Sequence, residues 1–194
     1  MGKYPFFSCL VWVTLALAAR PAMAQTAAPR RIALIGDSHV GNDEANALGF
    51  QLAKLAKKRG IELRYEGHNS TRASHWLNRK KWAAWVAGFD PQIVIINLGT
   101  NEAMLNKGVE KNAASFQALA DRLSDSGRRR IVWVMPPRLT KPKYLESVWT
   151  AIRGLRGVTL LDLSEISYPT RDGTHLRLAK YRFWAADIFD KLDL

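Results

Sequence analysis

The chain has 194 residues, 47% of them hydrophobic, and a formal charge of +12. That length and apolar content support one substantial core and little more, so one domain is expected. The excess of cations favours anionic surroundings such as acidic glycans, phospholipid head groups or cell-wall polymer, whereas no recognisable nucleic-acid module and no glycine-rich phosphate loop of the GxGxxG or GxxxxGKS/T type is present, which leaves nucleic-acid and nucleotide binding without support.

The N-terminus reads as a secretory leader. Lys3 precedes an apolar run from Pro5 to Ala19, and Ala22-Met23-Ala24 forms a small-x-small cleavage pattern before Gln25. An uncleaved anchor is the competing reading, but the run is short for a membrane span and Arg20 and the cleavage site follow it at once. Residues 1–24 are therefore expected to be a signal peptide, 25–30 a short disordered lead and 31–194 the folded domain, exported to the periplasm or the medium with no stable membrane span after cleavage. Loss of Lys3 and Arg20 with the leader lowers the charge from +12 to +10. Cys9 is the only cysteine and lies upstream of the cleavage site, so the mature chain would hold no disulfide, thiolate metal site or cysteine nucleophile, and lipid attachment there is disfavoured by position.

Five apolar runs then read as strands, at Ile32 to Ile35, Ile61 to Tyr65, Ile93 to Leu98, Ile131 to Met135 and Val158 to Leu163. Helical periodicity fills the intervals at Glu44 to Arg59, Ala73 to Ala87, Val109 to Ser126 and Lys143 to Leu155, with a last helix from Leu178 to Leu192. This alternation implies a parallel sheet with helices on both faces, an α/β three-layer sandwich, and near-continuous apolar strands such as IVIINL are what two covered faces require. Trp82, Trp85, Val86 and Phe89 recur at helical spacing and read as a core face, while Trp76 is a candidate pocket wall. The basic runs Lys54 to Arg59, Arg79 to Lys81 and Arg128 to Arg130 read as solvated helix ends and turns. The stretch PPRLTKPKY after the fourth strand resists regular structure because proline removes a donor and restrains its neighbours, and Arg138, Lys141 and Lys143 within it are expected to line the substrate approach.

Three polar motifs close or follow apolar runs: GDSH at Gly36 to His39, GTNE at Gly99 to Glu102 and DGTH at Asp172 to His175. A serine hydroxyl is a weak nucleophile until a base takes its proton, and a histidine oriented by a carboxylate does this near neutral pH. Ser38, His175 and Asp172 can supply those roles, the last two from a single loop. The tetrahedral intermediate of ester hydrolysis carries a negative oxygen that needs fixed donors. The Asn101 amide and the Ser38 backbone N–H are the candidates. Asp37 reads as a brace for its own turn. His39, His68 and His75 fit no strong zinc spacing, so neither metal nor cofactor is expected.

On these motifs the chain resembles the SGNH hydrolases, also called the GDSL esterase/lipase family. RIALIGDSH resembles the family's first block with its serine, INLGTNE the third with its asparagine, and RDGTHL the last with its Asp-x-x-His, so that the likeness spans about residues 31 to 190. It implies a flavodoxin-like five-stranded parallel sheet in the order 2-1-3-4-5, with Ser38, Asp172 and His175 catalytic. In sheets of that order ligands bind at the carboxyl ends near the reversal between strands one and three. The family's second block supplies a backbone N–H from a glycine as the third oxyanion donor. In YEGHNSTRASHW the matching position is Ser70, with Gly67 a little upstream as the alternative. Glu102 stands where many members have aspartate. His39 replaces the leucine of the family name and reads as a packing or loop residue.

The resemblance implies a cofactor-independent serine esterase. Export, basicity and small size favour release of a short acyl group such as acetyl from an envelope or extracellular polysaccharide, and the substrate is a small-molecule or polysaccharide ester, anionic in one variant of the reading. A lysophospholipase, a thioesterase or an acyltransferase would use the same acyl-enzyme, and a non-catalytic module binding an anionic polymer is the alternative from another class.

Overall fold

The computed structural model of the protein describes residues 30–41, 46–105, 108–192 and 194. The expected signal peptide, and all but Arg30 of the expected lead, lie outside these residues.

Five parallel strands, β1 (Arg31–Gly36), β2 (Glu62–Gly67), β3 (Ile93–Asn97), β4 (Arg130–Val134) and β5 (Val158–Leu161), form one sheet in the order β2-β1-β3-β4-β5. The helices are α1 (Leu48–Lys58), α2 (Ala73–Asn78), α3 (Lys80–Phe89), α4 (Val109–Ser124), α5 (Leu145–Arg153) and α6 (Tyr181–Lys191), the last entered through a 3-10 turn at Leu178–Lys180. The sheet runs one way from β1 to β2 and the other way from β2 through β5. Right-handed crossovers therefore place α1 on one face and the helices from α2 to α5 on the other. The packing agrees, since α1 meets α6, whereas α4 meets both α2 and α5.

Every residue of β3 is buried, as expected for a central strand covered on both faces, while β2 at the sheet edge is only half-buried. Trp133 of β4 is fully buried against Phe116 of α4, and its indole N–H donates to the Leu98 carbonyl at 3.2 Å. Trp149 of α5 likewise donates to the Pro136 carbonyl at 2.9 Å. Both tryptophans thus place their bulk in the core and satisfy their one donor on the loops that leave the carboxyl ends of β3 and β4. Among the described residues no helix is long and apolar enough to cross a membrane.

The helix expected over 73–87 is broken. Arg79 is extended (φ −101°, ψ 93°) and separates α2 from α3. Trp76 and Trp82, six positions apart, would point roughly 120° away from each other on an unbroken helix of 3.6 residues per turn. The break turns both into the core, with ring centroids 4.7 Å apart. Trp76 is consequently 2% exposed and packs against Trp82 and His68, which corrects its expected place in a pocket wall. Of the basic runs, Arg79 to Lys81 are exposed at the boundary of α2 and α3, the solvated helix end expected of them, whereas the Arg129 side chain departs from expectation, being 8% exposed and ion-paired to Asp125 at 3.3 Å and Asp90 at 3.7 Å.

In the paired strands, Gly36 of β1 stands opposite both Gly67 of β2 and Asn97 of β3. The loops that follow these three strands therefore leave the sheet at one level. A Cβ at Gly67 would lie 2.7 Å from the Asp37 carbonyl oxygen and 2.6 Å from the Gly41 backbone nitrogen, so the turn after β1 can fold down only because this position has no side chain. Gly67→Ala must displace backbone, and it is expected to cost about 1–3 kcal/mol in urea unfolding; a loss below about 0.5 kcal/mol would show that the turn has room to move.

Candidate active site

The turn after β1 carries Ser38 half-buried at the sheet edge. It closes through the Val40 and Gly41 N–H groups, which donate to the Asp37 carbonyl at 3.1 and 3.3 Å. The Asp37 side chain accepts the His39 N–H at 2.9 Å, the bracing role expected of it. Far along the chain, residues 170–176 form a narrow loop. Thr170 bridges Leu176, the Arg171 N–H donates to the His175 carbonyl at 2.8 Å, and the Gly173 carbonyl accepts the Thr140 and Lys141 N–H groups at 3.1 and 2.9 Å.

This loop brings His175 to Ser38. The Ser38 Oγ and His175 Nε2 are 2.9 Å apart, and His175 Nδ1 lies 2.8 Å from Asp172 Oδ2. With the Nδ1 hydrogen donated to the carboxylate, Nε2 is the bare nitrogen and accepts the serine hydroxyl hydrogen. The other carboxylate oxygen, Asp172 Oδ1, accepts the Thr174 and His175 backbone N–H groups at 2.9 and 2.6 Å, so the orienting group is itself held by the loop that carries the base. Desolvation opposes ionisation of Asp172. The bonds from the His175 ring and from the two backbone N–H groups, with the attraction of the imidazole, outweigh it and hold the carboxyl well below the ordinary carboxylate range.

Asn101 follows β3 at the same edge. Its amide nitrogen donates to the Thr71 carbonyl at 3.0 Å and reaches Asp37 Oδ2 at 3.4 Å. The shorter of the two bonds fixes the amide. Ser70 lines the same cleft with φ +58°, a left-handed conformation that serine rarely adopts. Among the described residues neither the Ser70 N–H nor the Ser38 N–H is paired with a carbonyl. Gly67, the alternative to Ser70, is buried at the end of β2 under the Ser38 turn and does not line the cleft. Glu102 is buried, and its Oε1 accepts the N–H of Ala73, the first residue of α2, at 2.7 Å.

The cleft over Ser38 has a volume of about 390 Å³. Lys141 lines it, as expected. Arg138 does not, being drawn instead toward Glu165 at 3.6 Å and Glu146 at 3.9 Å with its guanidinium over the Trp149 ring, and Lys143 is also outside the lining. Asn69, Met104 and Arg171 line the cleft and were not singled out from sequence. Arg171 adjoins the DGTH motif, a position whose proximity to the base was available as a signal.

Beneath the reacting groups burial disfavours the charged forms of two side chains. Burial raises the Asp37 carboxyl from 3.8 to about 7, aided by the nearby Glu102 charge and opposed by the bond from the His39 N–H. Burial lowers His39 from 6.5 to about 3, aided by the positive potential of His175. The His39 ring packs 5.5 Å from the His175 ring and 5.4 Å from that of Trp184, and its Nδ1 meets the Tyr181 hydroxyl at 3.0 Å. It is a packing residue, as expected.

No protein-family model matches the sequence, and no curated protein is found similar to it. Similarity is found among solved structures. A lipase/acylhydrolase from Enterococcus faecalis shares 19% identity over 84% of this chain and 95% of its own, with a TM-score of 0.67. An acetyl xylan esterase shares 17% identity over 84% of this chain and 99% of its own, with a TM-score of 0.70. A structure from Slackia heliotrinireducens assigned to the SGNH hydrolases shares 18% identity over 85% of this chain and 100% of its own, with a TM-score of 0.64. The chain therefore has the fold of the SGNH hydrolases, over nearly the full length of each.

Asp37 and His39 give stability opposite dependences on pH. A raised carboxyl stabilises fully below its unfolded value, and this contribution is lost as pH rises through about 7. A lowered imidazole stabilises fully above 6.5, and this contribution is lost as pH falls toward about 3. The two oppose each other between about pH 4 and 6.5. Asp37→Asn is expected to lose stability on acidification from pH 7 to 4.5 and His39→Gln to gain it relative to the parent, each by up to about 1.4 kcal/mol per pH unit in urea unfolding. Identical slopes in both variants would show that these groups are not held as described.

Proposed function

We propose that this chain is an exported serine esterase of the SGNH type that releases short acyl groups, acetyl foremost, from hydroxyl groups of a polysaccharide of the envelope or the extracellular space. The observation that carries the proposal is the unbroken hydrogen-bonded series from Ser38 Oγ through His175 to Asp172 at the mouth of a cleft. Solved esterases and acylhydrolases sharing the fold support the reaction class. Export rests on the leader-like N-terminus.

In the reaction Ser38 Oγ attacks the ester carbonyl carbon while its proton passes to His175 Nε2. Negative charge gathers on the carbonyl oxygen, met by the Ser38 N–H, the Ser70 N–H and the Asn101 amide. Asp172 keeps the ring in the tautomer that can accept and stabilises the imidazolium that forms. Collapse expels the alkoxide, which takes the proton from His175. A water then gives its proton to the same nitrogen and attacks the acyl-enzyme, releasing the acid and restoring Ser38.

The lining of the cleft favours a short acyl chain. Met104 is the single apolar side chain among the described residues that line it. A long chain needs an apolar wall to recover about 0.8 kcal/mol per buried methylene, and this cleft offers little of one. On p-nitrophenyl esters, kcat/KM is expected to be highest for acetate and to fall with chain length. Ser38→Ala should lose at least about 1,000-fold in kcat and Asn101→Ala about 100- to 1,000-fold. An octanoate preference would overturn the short-acyl assignment, and undiminished turnover by Ser38→Ala would overturn the mechanism.

A further inference from the structure

We propose that Lys141 and Arg171 form an anion subsite on the leaving-group side of the cleft, so that the alcohol released by the enzyme carries a carboxylate or phosphate next to the acylated hydroxyl. The inference rests on the esterase reading for the direction of the leaving group, and the placement of the two cations supplies the rest.

The cleft has two sides. Asn69 and Ser70 lie on the loop after β2, and Asn101 is tied to that loop through its bond to the Thr71 carbonyl at 3.0 Å; these three lining residues make one side. The loop 170–176 stands on the other and presents His175, which must reach the departing oxygen in order to protonate it. Arg171 and Lys141 both belong to this second side. The backbone bond from the Arg171 N–H to the His175 carbonyl sets Arg171 across the loop from the base, and the Lys141 N–H is tied to Gly173 at 2.9 Å, between Asp172 and Thr174. Both residues line the same cleft as His175, so an alcohol held against His175 shares that cleft with a guanidinium and an ammonium.

Among the described residues no carboxylate lies within ion-pair distance of either cation, whereas Arg31, Arg64, Arg128, Arg138 and Arg153 each have one. Of the carboxylates near the site, that of Asp172 is committed to His175 and to two backbone N–H groups, and Asp37 is buried at the base of the nucleophile turn. Both cationic side chains are exposed at the mouth of the cleft, where a guanidinium can meet a carboxylate or phosphate with two parallel hydrogen bonds and an ammonium adds a point charge. The positive field of Arg171 reaches the buried site, where it contributes to keeping His39 neutral.

Acetate release is compared for three sugars acetylated at the same hydroxyl: a methyl glucoside, the methyl glucuronoside and the 6-phosphate. The parent is expected to show a kcat/KM about tenfold or more higher for at least one anionic sugar than for the neutral one, carried by KM and weakened by added salt. Whichever anionic sugar is preferred identifies carboxylate or phosphate as the source. In the variant with both Lys141→Gln and Arg171→Gln the ratio should fall to within about twofold of one. Equal values in the parent, or a preference that survives in the double variant, would overturn the subsite. Calorimetric binding of the unacetylated sugars to Ser38→Ala decides the same point without turnover, since the subsite requires tighter binding of an anionic sugar that the two further substitutions abolish. A parent that binds the anionic sugars selectively but hydrolyses no ester, p-nitrophenyl acetate included, would leave the subsite standing and remove the esterase reading.

Discussion

The hydrogen bond between Ser38 Oγ and His175 Nε2 joins residues 137 positions apart, and most of the architecture bears on its 2.9 Å length. One partner sits on the turn after the first strand of the chain, the other on the loop that precedes the last helix. Neither segment is regular, so each is fixed by what surrounds it. The Ser38 turn rests on Gly36 and Gly67, side by side at the ends of paired strands, where a side chain would intrude on its backbone. The His175 loop is closed by bonds between its own ends and anchored to the stretch after β4 through the Gly173 carbonyl. Sheet order completes the arrangement, because only the reversal between β1 and β3 lets loops from both strands open on one cleft.

Charge is allotted as carefully as position. The proposed mechanism needs an ionised orienting carboxylate, and three N–H donors at the protein surface favour that form of Asp172. In the buried layer beside it, burial keeps a second imidazole, His39, neutral and raises the carboxyl of a second acid, Asp37, to about 7. An ionised His39 5.5 Å from His175 would oppose the imidazolium that forms when serine gives up its proton. An uncharged ring there removes that repulsion and offers a firm surface for His175 to rest on.

The sheet was legible in the sequence because the inner strands are apolar runs bounded by turn residues, β3 with both faces covered, while the edge strand β2 alternates charged and apolar residues. The motifs were legible because Ser38, Asn101, Asp172 and His175 follow such runs, and the structure brings all four to one edge. Other features depend on tertiary contacts that no local pattern encodes. The break at Arg79 makes sense only once both Trp76 and Trp82 must reach the core. Arg138 looked like its neighbour Lys141 in a proline-rich stretch, yet Glu146 and Glu165, brought close by α5 and the segment after β5, draw it away. The left-handed Ser70 occupies a position where a glycine was the expected residue type, a conformation that the letter serine conceals. Asn69 and Met104 sit on loops without periodicity, where only tertiary contacts decide what faces the cleft, whereas Arg171 adjoins the DGTH motif.

The central claim is that Ser38 is a nucleophile activated by His175, and active-site phosphonylation tests it without any choice of natural substrate. The protein would be treated with a fluorophosphonate at neutral pH and the modified residue found by peptide mass spectrometry. One equivalent on Ser38, with labelling lost in His175→Ala, is the expected result. An unlabelled Ser38 in the folded protein, or labelling that proceeds equally well without His175, would contradict the account.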